Sequence, residues 1–451
     1  MSYDFEIAII GSGPGGQRAA VQAAKLGKKV LLIEADEIGG NCLHLGTVPS
    51  KTLREAVLDK SSRNNLASVM KRKSDVISAE AMVVTEQIRR NNIRVVYGRA
   101  SFVDTHSINV KLKDDSEAIF SAGKFVIATG TRPRRPSEID FNHPHVFDSD
   151  SILEISEIPK TMCIMGAGVV GCEYVSIFAE MGCQVTLVDK RNQLLQGVDR
   201  EVVDRLTAYM KDKGVKFILG PDAIDPATLQ FVCKEEGKVC LRFQEKDYEF
   251  DALLYCMGRT GNVESLNLSS IGIQPTSRGL IEVNEHFQTK QEHIYAVGDI
   301  IGHPALAASA FAQGRIAAAH AFGLTDQKFP KIFPYGIYTI PEISSVGAEE
   351  AELIQAKVPF ITGYARYSEL ARGKIVGDEY GLLKLIFHEE TKKLLGAHVI
   401  GTSASELIHI AQVAMWFEAD VQHLLDFIFN YPTLAEAYKV ASLNAYNKFP
   451  S

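Results

Sequence analysis

The chain has 451 residues, of which 46% are hydrophobic and 23% charged, with a formal net charge of −7. That is length for about three domains and the composition of a soluble globular protein; the mild acidity leaves no basic footprint for nucleic acid, and no apolar run reaches the roughly 18 residues needed to span a bilayer. Seven cysteines without paired spacing argue against a disulfide framework and against metal binding, and with no leader pattern in MSYDFEIAIIG the expected address is the cytoplasm.

In chain order, residues 5–10 (FEIAII) read as a buried strand, followed by Gly11, Gly13 and Gly16 in GSGPGG, the helical stretch QRAAVQAAKLG and the strand KKVLLIE ending in Glu34. Strand, glycine turn, helix, strand and acid make the dinucleotide fingerprint in the context it requires. The first glycine permits the turn, the second lets backbone approach a pyrophosphate, and the third lets the helix lie close on the sheet. The helix N-terminus offers free N–H groups to phosphate, and Glu34 is placed to accept ribose hydroxyls. The charged stretch KSSRNNLASVMKRKSD near 60–75 reads as a solvated helix face or loop, and KFVIATG is a strand ending at Gly130.

The unit then recurs. TMCIM leads into Gly166, Gly168 and Gly171 of GAGVVG, the helix CEYVSIFAEMG and the strand QVTLVD ending in Asp189. Glycine and acid are 23 positions apart in both copies, 11 to 34 and 166 to 189. Equal spacing and equal element order make turn-only glycines a poor account of the pattern. Cys163, Cys172 and Cys183 lie in this second unit, where core packing is the default. The strand ALLYCMG ends at Gly258, with Arg259 just beyond, and HIYAVGD ends in Gly298-Asp299. Residues 331–451 hold antiparallel-looking strands (YTIPEISSVG, GLLKLIFH, LLGAHVIG) and then helices (ASELIHIAQVAMWFEA, TLAEAYKVASLNAYNKF), the order of an α+β domain. Two dinucleotide sites in one chain point to an electron relay, one holding a permanent flavin and the other an exchanging nicotinamide.

Residues 39–51, GGNCLHLGTVPSK, together with these glycine signals, resemble the flavin-dependent pyridine nucleotide-disulfide oxidoreductases, the family of glutathione reductase and dihydrolipoamide dehydrogenase. The resemblance covers the whole chain. It implies an α/β protein with two Rossmann-like dinucleotide-binding domains and a C-terminal α+β dimerisation domain. The FAD domain would be discontinuous, 1–147 and 267–330, the NAD(P) domain 148–266 and the interface domain 331–451. FAD would be held by Gly11, Gly13, Pro14, Gly15, Gly16, Glu34, Ala35, Gly40, Asn41, Cys42, Lys51, Thr129, Gly130, Gly298, Asp299, Ala305 and Leu306. The exchanging NAD(H) or NADP(H) would meet Gly166, Gly168, Val169, Val170, Glu173, Asp189, Lys190, Arg191, Gly258 and Arg259. Asp299 takes the place of the residue that bonds the ribityl chain. Lys51 takes the place of the lysine beside flavin N5, paired with Glu173, and a cation there favours the reduced, anionic flavin.

Two departures from the family pattern are coupled chemically. The family carries two cysteines five positions apart; here Cys42 is present but the second position is Thr47, and a thiol cannot form a disulfide with a hydroxyl. The family also carries His-Pro-Thr from the other subunit as the thiol acid/base, with a glutamate four residues after the proline. Here the run is Tyr431-Pro432-Thr433 with Glu436, and tyrosine, with a pKa near 10, is a poor shuttle for thiol protons. Cys42 is then either a thiol contact near the flavin or a packing thiol; a single-cysteine sulfenic acid chemistry is a further reading. Thr47 and His44 could hydrogen-bond near the flavin, His44 being equally well a surface residue.

The expected function is FAD-dependent hydride transfer between NADPH and NAD⁺, ping-pong through one nicotinamide site of a homodimer, with Lys51, Glu173, Cys42, Thr47, Tyr431 and Glu436 as the candidate catalytic group. Alternatives are an NAD(P)H diaphorase or oxidase serving quinone or oxygen, and a flavin-binding subunit without catalysis. Coenzyme signals are mixed. Asp189 suits the ribose hydroxyls of NAD(H), whereas Lys190 and Arg191 could reach a 2′-phosphate.

Overall fold

A computed structural model describes residues 3–59, 65–221, 223, 230–231, 237–243 and 245–450. Residues 60–64 of the charged stretch and Cys233 lie outside the described residues.

The first sheet is built on FEIAII. Phe5–Ile10 lies between Val30–Glu34 and Glu117–Ile127, and Arg94–Asp104 and Ile294–Ala296 complete the parallel set on either side. Apolar side chains on both faces explain why these strands read as continuous hydrophobic runs. The long strands Arg94–Asp104 and Glu117–Ile127 leave the parallel sheet and pair antiparallel with Ser107–Leu112 between them. The strand Ile294–Ala296 returns from far along the chain to close the sheet beside Phe125–Ile127. The rest of the charged stretch enters the helix Leu66–Arg90, whose face is mostly exposed.

The second sheet repeats the plan: Lys216–Leu219, Gln184–Asp189, Thr161–Met165, Ala252–Tyr255 and Val146–Asp148, all parallel. Val146–Asp148, which straddles the boundary expected at 147/148, pairs in this second sheet. Two chain crossings join the units side by side, Thr131–Pro133 pairing antiparallel with Arg259–Gly261.

The third unit is a five-stranded antiparallel sheet in the order Tyr335–Ile337, Ile343–Gly347, Leu394–Ile400, Leu382–His388, Phe360–Arg366. Two sequence expectations are corrected here. YTIPEISSVG is strand only over Ile343–Gly347; residues 338–342, with Pro341, which has no N–H to give to a ladder, form the loop that turns the chain back from Tyr335–Ile337. Strands do not all precede helices either. The helices Glu350–Ala356 and Ala371–Val376 interrupt them, and Phe360–Arg366 was not foreseen. The helices Ala404–Trp416 and Glu436–Tyr446 then cover the sheet. No helix among the described residues is long and apolar enough to cross a membrane.

The third unit is tied to the second by a buried ion pair. Lys384 Nζ lies 2.7 Å from Asp199 Oδ2 and 2.9 Å from Glu350 Oε1, and both Lys384 and Asp199 side chains are 2% exposed. Asp199 also caps the helix Arg200–Asp212 through the N–H groups of Glu201 and Val202. Removing one partner of such a pair strands a buried charge, at about 3–5 kcal/mol. Lys384→Met is therefore expected to lower unfolding stability by about that amount, measured by denaturant titration; a loss below about 1 kcal/mol would show that the pair is dispensable.

Candidate active site

The two glycine turns are sterically forced. A Cβ on Gly16 would lie 1.9 Å from Gly11 O, and one on Gly171 would lie 1.8 Å from Gly166 O. The helices that follow, Pro14–Lys25 and Val169–Glu180, start at Gly13 and Gly168 with no side-chain cap, so their first N–H groups stay available to an anion. Pro14 sits at the first helical position, where its missing N–H is no loss. Gly15 packs against Val297, and the backbone of Gly15 leaves no room for a side chain at Gly314 on the helix Ala307–Ala321.

Each turn is locked to its strand-end acid. Ser12 N and Ser12 Oγ donate to Glu34 Oε2 at 2.8 and 2.6 Å, and Asp36 N donates to Glu34 Oε1 at 3.0 Å. In the second unit Ala167 N donates to Asp189 Oδ2 at 2.6 Å, and Arg191 holds both oxygens, Nε to Oδ1 at 2.9 Å and Nη2 to Oδ2 at 2.6 Å. Sequence reading passed over Ser12, although it lies inside the fingerprint. Lys190 is exposed and forms no ion pair among the described residues.

The short helix Gly40–His44 and the helix Thr47–Leu58 carry the remaining first-unit residues. Asn41 Nδ2 donates to Thr131 O at 2.9 Å, and His44 Nε2 is 2.9 Å from Ile38 O, a local backbone bond. Cys42 and Thr47 are brought near each other; burial pushes the Cys42 thiol up, more than the neighbouring Thr47 hydroxyl and Lys51 cation pull it down.

Lys51 meets residues from both other units. Its Nζ lies 2.6 Å from Glu173 Oε2, with side chains 24% and 7% exposed, and 5.0 Å from the centre of the Tyr338 ring. Glu173 Oε1 accepts Tyr338 N at 2.9 Å. Ser176 Oγ, one turn along, accepts Ile340 N at 3.0 Å and donates to Glu173 O at 2.8 Å. Arg54 adds Nε to Thr339 O at 3.0 Å and a 3.3 Å ion pair with Glu342. Tyr338, Ser176 and Arg54 were not singled out from sequence. The only signal was that Tyr338 falls in YTIPEISSVG, and contact across units has no sequence periodicity.

Other candidates stand apart from this centre. Arg259 donates from Nε to Thr131 Oγ1 at 2.7 Å and from Nη2 to Thr131 O at 2.8 Å, so its guanidinium joins the two crossings. Gly258 O accepts Arg134 N at 3.1 Å. Asp299, in the single turn Gly298–Ile301, lies 3.4 Å from Thr131 Oγ1, and Gly298 N donates to Gln313 Oε1 at 2.8 Å. Ala305 and Leu306 lead into the helix Ala307–Ala321. Tyr431 is 75% exposed, and Glu436 Oε2 accepts Thr433 N at 3.3 Å, closing the turn around Pro432. No hydrogen bond of the described residues joins either to Lys51 or Glu173. Among the described residues no group of three His, Cys, Asp or Glu could hold a metal ion, and Cys42, Cys163, Cys172, Cys183 and Cys256 are free thiols.

Burial thus favours the neutral form of the Cys42 thiol. Its alkylation by iodoacetamide at pH 7.5 is expected to be slower than that of glutathione, with the rate still climbing above pH 9.0, the ordinary thiol value; a rate that levels off below pH 7 would show an activated thiolate instead.

Known proteins agree with this arrangement. The model of the pyridine nucleotide-disulphide oxidoreductases matches residues 5–314, and the model of their dimerisation domain matches residues 333–442. Proteins named soluble pyridine nucleotide transhydrogenase are similar over nearly the full length. That of Mycobacterium bovis (strain BCG / Pasteur 1173P2) is 44% identical, covering 99% of this chain and 98% of the relative. That of Marinomonas sp. (strain MWYL1) is 43% identical, covering 98% of each. Among solved structures, the Cu(II) complex of the HOCl-induced flavoprotein disulfide reductase RclA from Escherichia coli superposes with a TM-score of 0.91 at 27% identity, covering 98% of this chain and 99% of that one. LpdA from Mycobacterium tuberculosis gives 0.88 at 25% identity, covering 97% and 98%. With two fingerprint units, a Lys-Glu pair between them and full-length similarity, the chain belongs to the pyridine nucleotide-disulphide oxidoreductase family.

Proposed function

We propose that this protein is a soluble pyridine nucleotide transhydrogenase of the cytoplasm, moving hydride from NADPH to NAD⁺ through bound FAD without a redox disulfide. One observation carries the reading: the Lys51–Glu173 pair is intact at 2.6 Å, while the position five residues after Cys42 holds Thr47 instead of a second thiol. The machinery for reducing and reoxidising a flavin is kept while the disulfide outlet is lost.

The first unit fits FAD on its own features. Thr129 Oγ1 is buried without a hydrogen-bond partner among the described residues, and such a group calls for a ligand. Glu34 Oε1 carries one hydrogen bond, leaving an acceptor for a hydroxyl. The uncapped turn at Gly13 suits a pyrophosphate. Gly11, Gly13, Gly16, Glu34, Thr129 and Asp299 would hold the group, which when bound accepts hydride from a dihydronicotinamide and returns it to an oxidised one.

The chain's own residues bind and orient. The second turn, Gly166–Gly171, would anchor each coenzyme's pyrophosphate in alternation, so one nicotinamide site serves both half-reactions. Lys51 Nζ supplies positive charge to the reducing side of the relay, and Glu173 keeps it in place. No proton has to move in hydride exchange between nicotinamides, so Tyr431 in place of a histidine is no handicap. A second copy of the chain is the partner. Trp416 and Phe417 are 60% and 77% exposed and Ile428 95% exposed on the third unit, large apolar side chains that a partner would cover.

In anaerobic stopped-flow, NADPH is expected to bleach the flavin absorbance of the holoenzyme and an NAD⁺ analogue to restore it. Cys42→Ser should retain most of this activity, and Lys51→Met should slow it by about 100-fold, the order seen when a transition-state charge partner is removed. NADPH leaving the flavin oxidised at millimolar concentration would sink the transhydrogenase reading, and loss of transfer in Cys42→Ser with FAD retained would put the thiol in the reaction. Sedimentation equilibrium should give twice the chain mass of 49.5 kDa, and replacing Phe417 and Ile428 by Asp should give monomers; a native monomer that is fully active would refute the dimer.

A further inference from the structure

The Lys51–Glu173 pair fixes a distance but not a direction. An ammonium on a flexible four-carbon stem has three N–H donors. Lys51 Nζ gives one to Glu173 Oε2 at 2.6 Å and one to Ser50 Oγ in a long bond of 3.3 Å, and the third has no acceptor among the described residues. The Lys51 side chain is 24% exposed, against 7% for Glu173, so solvent competes for the cation. With one short bond to a carboxylate oxygen, the ammonium is free to swing about that oxygen unless a second contact holds it.

The Tyr338 ring supplies that contact. Its centre lies 5.0 Å from Lys51 Nζ, within the roughly 6 Å over which the negative face of an aromatic ring attracts a cation. The backbone of the same residue donates to the other oxygen of the pair, Tyr338 N to Glu173 Oε1 at 2.9 Å, so Tyr338 touches both ions. The loop that carries it is pinned from the first two units. Arg54 Nε donates to Thr339 O at 3.0 Å, Ile340 N donates to Ser176 Oγ at 3.0 Å, and Thr339 and Ile340 are buried. Burial, and after it the Glu342 carboxylate, push the Tyr338 phenol up. No phenolate therefore forms near neutrality to draw the ammonium away from Glu173, and the ring acts through its face.

We propose, on the reading that Lys51 stands beside bound FAD, that Tyr338 is a positioning residue for Lys51: its ring face holds the ammonium in one place, and the third unit thereby helps to set the reduction potential of the flavin. A cation held still stabilises a reduced, anionic ring more than one that spends part of its time in water, because the attraction falls with distance and with the dielectric around the charge. The Tyr338 hydroxyl has no part in this, so phenylalanine should serve as well as tyrosine and an aliphatic side chain should not.

The test is the midpoint potential of the FAD-loaded full chain, measured anaerobically by equilibration with a redox dye. Tyr338→Leu keeps the backbone N–H to Glu173 and the apolar bulk but removes the face. It is expected to lower the equilibrium constant for flavin reduction about ten-fold, a negative shift of about 30 mV for a two-electron couple. Tyr338→Phe should keep the native potential. Lys51→Met should give a larger negative shift, and Tyr338→Leu added to it should change nothing further, because the two side chains act as one unit. Pentafluorophenylalanine incorporated at position 338 keeps the shape and reverses the charge of the face. It should shift the potential as leucine does, and it replaces Tyr338→Leu if that variant does not fold. A native potential in these variants, with Lys51→Met shifted, overturns the role of Tyr338 and leaves Lys51 beside the flavin. A shift that persists undiminished in the Lys51→Met background, or one that Tyr338→Phe shows equally, also overturns it. An unshifted Lys51→Met overturns this role together with the placement of Lys51. Because no nicotinamide is present, native enzyme that fails to pass hydride between coenzymes would refute the transhydrogenase reading and leave this assignment standing.

Discussion

Three parts of the chain meet at one carboxylate. Glu173 takes the ammonium of Lys51 on one oxygen and the backbone N–H of Tyr338 on the other, so the first helix of the second nucleotide unit is fastened to both the first and the third unit. At 7% exposure the carboxylate is nearly out of water, and charge-assisted bonds in such a place are worth about 1.5–3 kcal/mol each. Ser176 and Arg54 tighten the same junction through Ile340 and Thr339. A mobile lysine could sample many positions; this one has been given a fixed one, where the two dinucleotide units face each other.

The repeated unit shows how one solution is adapted to two ligands. Both copies close the glycine turn by giving the N–H after the first glycine, from Ser12 or Ala167, to the acid at the end of the second strand. The turn is thereby rigid before any nucleotide arrives, which reduces the ordering cost of binding. In the first copy the extra bond is a neutral hydroxyl and the acid keeps an acceptor. In the second the extra bonds are from the Arg191 guanidinium, and the acid has no acceptor left.

The thiol site has been simplified rather than dismantled. Thr47 fills the second cysteine position at the start of its helix, and a thiol cannot form a disulfide with a hydroxyl. The turn around Pro432 is kept, with Glu436 bonding Thr433 N, although Tyr431 replaces the proton carrier. Positioning interactions outlast the reactive groups because they stabilise the fold whatever the chemistry.

The strands FEIAII, TMCIM and QVTLVD were legible from the chain alone because hydrophobic runs and forced glycine contacts act between near neighbours, and the fingerprint is local. So were the repeat itself and the absence of a second thiol. The C-terminal order of elements was not, because a strand such as Phe360–Arg366 depends on pairing with Leu382–His388 some twenty residues on. The same holds at the site. Sequence placed Lys51 and Glu173 near each other only through a family likeness, and it offered Arg259 and Asp189 as ligand-facing groups. Tertiary structure decided that the Arg259 guanidinium joins the crossings at Thr131 and that Asp189 has no acceptor left. Residue type and spacing determine what a side chain can do; whether its hydrogen-bonding capacity is already taken depends on neighbours that only the folded chain brings within 3 Å or so.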